Sequence, residues 1–74
     1  WTEQTSPTRN FLYGVAYGNG LFMAVGELGT ILISPDGVDW TEQTLSTLDF
    51  LYGVTYGNGI FVVVGNRGAI FIFR

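Results

Sequence analysis

Few of the 74 side chains in this sequence are equipped for chemistry. Glu27, Asp36, Asp39 and Asp49 are the carboxylates placed to serve as an acid/base pair or as cation ligands, and Asp36 and Asp39 are close enough in sequence to act together. The Gly-Asn-Gly runs at 18–20 and 57–59 have the composition of a phosphate-cradling loop. Trp1 and Trp40 could stack a sugar ring, and Tyr13, Tyr17, Tyr52 and Tyr56 could line a ligand site. Each group has a simpler reading. Pro35-Asp36-Gly37 has turn composition, and a turn aspartate caps backbone N–H groups without any catalytic role. No helix is expected after the Gly-Asn-Gly runs and the chain has no Lys, so they read as hairpin turns. The aromatic residues read as packing groups, with the four tyrosines sharing one face of their strands.

Missing residue types narrow the field further. With neither Cys nor His, the chain has no disulfide, Cys/His nucleophile pair, Ser-His-Asp triad or zinc site of the usual kind. Three Arg against six acidic residues leave a net charge of −3 and no basic patch for nucleic acid. The longest apolar run, Ile60 to Val64, is far short of the roughly 18 residues of a membrane-spanning helix. No cofactor or metal is expected, no membrane association is indicated, and no compartment is legible. An unstapled chain of this size buries only about 60% of its unfolded surface, yet 47% of its residues are apolar. That combination calls for a partner.

The elements that must position these residues come from an internal repeat. Trp1-Thr2-Glu3-Gln4-Thr5 recurs as Trp40-Thr41-Glu42-Gln43-Thr44, a period of 39, and 21 of the 35 comparable positions are identical. A period near 40 with several short β segments marks propeller blades or another stacked array. Repeat one is 1–39 and repeat two is 40–74. Within one period Leu12 to Tyr17, Leu21 to Val25, Thr30 to Ser34 and Trp40 to Thr44 read as four antiparallel strands, separated by Gly18-Asn19-Gly20, Gly26 to Gly29, and Pro35 to Asp39. Strands such as Ile60-Phe61-Val62-Val63-Val64 and Ala69-Ile70-Phe71-Ile72-Phe73 are apolar at every position, so both faces of each sheet must be covered. A sheet sandwiched between two others, as in a propeller, meets that demand.

Ser34-Pro35-Asp36-Gly37-Val38-Asp39-Trp40 resembles the Asp-box (BNR) motif, one residue tighter between Asp36 and Trp40 than its commonest spacing. The wider pattern of Tyr-Gly-Val, Gly-Asn-Gly and Val-Gly followed by this turn is similar to blades of bacterial repeat propellers of the photosystem II assembly factor and sialidase-like kinds. The resemblance implies an all-β chain of two four-stranded propeller blades. It also implies that Ser34, Asp36, Gly37 and Trp40 form a structural turn between the third and fourth strands of a blade, distant from any active site.

Two expectations about function follow. The chain opens on a fourth strand and closes on a third, so Trp1, Thr2, Glu3, Gln4 and Thr5 of one copy are expected to complete the edge around Ile70 and Ile72 of the next. Two blades per chain then predict a ring of three or four copies, or a filament if the rotation does not close. The non-conservative differences between repeats fall in the loops before the first strand and between the second and third, which share one end of a meander. That rim, with Arg9, Asn10, Glu27, Leu28, Asp49, Asn66 and Arg67, is the expected binding surface. The expected role is a non-enzymatic binding or display scaffold. A lectin-like carbohydrate binder, a filament subunit and a designed or reconstructed repeat protein are the alternatives, and the partners are further copies of the chain and a carbohydrate or protein ligand.

Overall fold

The computed structural model describes residues 6–44, 47 and 49–74. β1 (Leu12–Gly18) turns back as β2 (Leu21–Gly26) through Asn19-Gly20, and β5 (Leu51–Gly57) turns back as β6 (Ile60–Gly65) through Asn58-Gly59. All four turn residues have positive φ, between 52° and 82°, which is the primed two-residue turn that Asn-Gly favours. A second tight turn follows at Glu27–Gly29 and again at Asn66–Gly68, leading into β3 (Thr30–Ser34) and β7 (Ile70–Phe73). β4 (Thr41–Thr44) completes the first sheet. The chain is all-β, with antiparallel sheets in the orders β1-β2-β3-β4 and β5-β6-β7. The expected strand plan stands to within a residue or two at each boundary.

The tyrosines depart from expectation. Leu12 pairs with Gly26 and Gly14 with Val25, so Tyr13 is an extra residue in β1, and Tyr52 is the same in β5. A bulge breaks the two-residue alternation that would have put Tyr13 with Tyr17 and Tyr52 with Tyr56. The four side chains do not share one environment. Tyr13 and Tyr52 pack on each other with ring centroids 5.2 Å apart, Tyr56 lies between the sheets, and Tyr17 is exposed.

The sheets stack face to face, and they use different faces to do so. Cross-strand register puts Ala16, Met23 and Ile33 in one row of the first sheet and Val25 and Ile31 in the next. These residues meet Val54, Tyr56, Phe61, Val63 and Phe71 of the second sheet, together with Leu51. Counted by the repeat, the first group lies on one face of its unit and the second group on the opposite face of the next. β1 and β5 approach closely, so that a Cβ built on Gly14 would lie 3.2 Å from the Gly53 Cα. Ala24 and Leu32, on the other side of the first sheet, are buried as well.

Trp1 to Thr5, the segment expected to donate a strand, lies outside the described residues, as do Leu45, Ser46 and Leu48. Ile70 and Ile72, the expected acceptors, are exposed on β7, which has only β6 beside it among the described residues.

Candidate functional site

Strand direction places the start of β1 and β5, the turns Glu27–Gly29 and Asn66–Gly68, and the end of β4 at one end of the molecule. All seven expected rim residues therefore gather there. Their side chains do two different jobs.

Four of them hold the loops. The Phe11 N–H donates to Glu27 Oε1 at 2.9 Å while the Glu27 N–H donates to the Phe11 carbonyl at 3.0 Å, closing a reciprocal pair. Repeat two makes the same pair with Asn66, whose Oδ1 accepts from the Phe50 N–H at 3.0 Å and whose N–H donates to the Phe50 carbonyl at 2.9 Å. Glu and Asn differ in charge, but each offers an sp² oxygen at the right reach. What looked like a non-conservative difference is one structural requirement met twice. Asn10 Nδ2 donates to Thr30 Oγ1 at 2.8 Å. Asp49 ties the two sheets, since its carbonyl accepts from the Gly29 N–H at 2.9 Å and its carboxylate is paired with the Arg67 guanidinium. That hydrogen bond holds the Asp49 carboxyl below the usual aspartate range, against a smaller opposing effect of burial. Tyr13, nearby, is pushed above its ordinary value by burial first, and then by the negative charge of Glu27.

The other three face solvent. Arg9, Leu28 and Arg67 are exposed, Arg67 while its guanidinium is paired with Asp49. Leu28 and Arg67 occupy the same place in the two repeats, with φ of 57° and 58°. A left-handed backbone at a non-glycine residue costs about 1–3 kcal/mol, and nothing in the sequence signals it. Both repeats accept that strain at the residue that projects from the rim.

The other end carries the turns. Ser34 Oγ accepts from the Gly37 N–H at 2.7 Å and the Asp36 N–H at 3.3 Å, and donates to Asp36 Oδ1 at 3.1 Å. The same Oδ1 accepts from the N–H groups of Val38 at 2.9 Å and Asp39 at 3.0 Å. Trp40 Nε1 donates to the Gly37 carbonyl at 3.1 Å, and its ring packs near Phe22, which in turn packs against Tyr17. Ser34, Asp36, Gly37 and Trp40 are thus knitted into one turn. The Asp39 and Val38 N–H groups, in that order, hold the Asp36 carboxyl below its usual range. A carboxylate kept ionised in this way is a poor proton donor at neutral pH.

A lowered folded-state pKa contributes stability that is complete above the unfolded value of about 3.9 and is lost as pH falls through the lowered one. Asp36 and Asp49 both have this sign. Below about pH 4 the thermal midpoint of the native chain is therefore expected to fall, and Asp36→Asn, which cannot titrate, to fall less steeply. Parallel curves for the two chains would show that the turn does not hold the charge.

Tyr13, Tyr17, Tyr52 and Tyr56 do not converge on a common pocket. A shallow recess of about 390 Å³ lies between Ser6, Pro7, Val38, Asp39 and Trp40. Among the described residues no three carboxylates come together as a cation-binding group. Comparison with known proteins finds no matching family model, no matching curated protein and no matching solved structure.

Proposed function

We propose that the chain is a non-enzymatic repeat module of the β-propeller kind, which completes a ring with further copies of itself and serves as a binding or display scaffold. One observation carries the reading. Each sheet is apolar on both faces, and although Ala24 and Leu32 on the outer face of the first sheet are buried, the stacking of the two sheets leaves Leu12, Val15, Tyr17, Val64, Ile70 and Ile72 exposed. Covering Ile70 or Ile72 would contribute about 1–2 kcal/mol each, a driving force that chain-to-chain stacking supplies. Exposed apolar surface on this scale marks an interaction face.

The rim supports the display role. Its loops are anchored through Glu27, Asn66, Asn10 and Asp49, and the anchored loops project Arg9, Leu28 and Arg67. Rigidly held, solvent-facing side chains on loops are the usual carriers of recognition. A ring of copies would repeat this trio around its circumference.

Native mass spectrometry tests the reading. A mass of three or four copies is expected, because propellers have about four to eight blades. A monomer across the accessible concentration range overturns it. A ladder of masses without a limit would point to an open filament.

A further inference from the structure

The exposed residues of the two outer faces are counterparts, one repeat away, of residues that meet in the interface the chain already contains. In the stacked pair, a Cβ built on Gly18 would lie 2.0 Å from Cγ of Tyr56, so the Tyr56 ring sits directly on the glycine and no other residue fits there. One period later Gly57 stands where Gly18 does, in β5, with backbone that any residue adopts and nothing within 4 Å of its Cβ position. One period earlier Tyr17 stands where Tyr56 does, exposed. The chain thus has one filled glycine seat, one empty seat and one free ring of the kind that fills it.

The surrounding residues repeat the match. Ile31 is fully buried and its counterpart Ile70 is 66% exposed. Val25 is buried and Val64 is 44% exposed, on the same face as Gly57. On the opposite side, Leu51 is fully buried and Leu12 is 41% exposed, on the face that carries Tyr17. The match is partial: Thr55 and Val62 stand where Ala16 and Met23 do, and Ala24 and Leu32, already buried within the chain, stand where Val63 and Phe71 do. The correspondence runs along Leu12, Val15, Tyr17, Gly57, Val64, Ile70 and Ile72.

We propose that a second copy of this chain docks head to tail on the exposed face of β5, β6 and β7, with its Tyr17 ring seated on Gly57. Tyr56 on Gly18 is the template for the contact. The occupant is a second copy because only the chain's own first sheet is shown to present the matching Tyr17 and Leu12 at this spacing. The inference rests on the self-association proposed above and adds its register. The contact is heterologous: each copy uses one face to donate and the other to receive, so addition continues until a ring closes.

The absence of Cys makes the register measurable by cross-linking. With the Cβ position of Gly18 2.0 Å from Tyr56 Cγ and a C–C bond of about 1.5 Å, the two Cβ positions are no more than about 3.5 Å apart, close to the span of a disulfide. Tyr17→Cys and Gly57→Cys chains, mixed under mild oxidation, are expected to give the 17–57 cross-link in roughly tenfold excess over 17–17 or 57–57. Gly57→Val, which meets nothing inside its own chain, is expected to keep its circular dichroism and to weaken association by roughly tenfold or more. If Gly57→Val assembles to the native mass and the 17–57 cross-link is no more abundant than the others, copies associate through another surface and this register is wrong. If the unmodified chain is a monomer throughout, both the register and the self-association behind it fall.

Discussion

Gly26→Ala is expected to destabilise the chain by about 3 kcal/mol, the upper end for an overpacked site. A Cβ at this position would lie 2.0 Å from the Phe11 carbonyl oxygen and 3.0 Å from the Leu12 Cα. Both are backbone atoms, and the carbonyl is already fixed as acceptor of the Glu27 N–H. Relief would require the start of β1 to move off β2, undoing the Leu12 and Gly26 pairing and the reciprocal bonds between Phe11 and Glu27. Gly20→Ala is the comparison. Its Cβ would meet nothing, and only the φ of 77° opposes it, at a cost of about 1 kcal/mol. Urea midpoints of the two variants measure the difference. Equal midpoints would mean that the approach of β1 to Gly26 is looser than the structure has it.

Leu51→Ala is expected to cost about 2–5 kcal/mol, and Leu12→Ala less than about 1 kcal/mol, under dilute conditions in which the chain is dissociated. The two leucines hold the same place in the repeat, each opening its sheet and each followed by Tyr-Gly-Val. Leu51 is fully enclosed between the sheets, where truncation leaves a cavity beside Val63 and Phe61. Leu12 faces outward. Raising the protein concentration should narrow the gap, since docking of a second copy would give Leu12 the surroundings of Leu51. Equal losses in the dilute chain would show that the sheets do not stack as described.

Much of the fold is legible in local chemistry. Asn-Gly at 19–20 and 58–59 specifies a primed turn because these residues tolerate positive φ, and the turn then sets the register of the strands around it. Ser34, Asp36 and Trp40 specify their turn just as locally, through side chains that reach backbone groups two or three residues away. The bulges at Tyr13 and Tyr52 are not legible. Gly14 and Gly53 follow them, but a glycine inside a strand signals a bulge or a close backbone approach without saying which, and the extra residue is an adjustment between paired strands, visible only once both strands are placed. The missed parity is what scattered the four tyrosines.

That the variable loops share one end of the sheets was legible by comparing the repeats, because loop positions follow from strand order. The rim's internal division was not. Glu27 and Asn66 look free to vary until their oxygens are seen to hold Phe11 and Phe50 in turn. Asp49 and Arg67 are 18 residues apart and pair across loops, a distance over which a single sequence carries no signal.

The sequence by itself determined that the chain repeats with a period of 39, that its strands are antiparallel and short, and that their faces are apolar on both sides. These follow from side-chain type and from spacing along the chain, which are local quantities. Only the tertiary structure decided which face of each sheet is covered. Ile31 and Ile70, or Leu51 and Leu12, are the same residue in the same local setting, and burial separates them because in a stack of two units the outward positions Ile70 and Leu12 have no facing sheet. That asymmetry is invisible along the chain, and it is the property on which the proposed assembly rests.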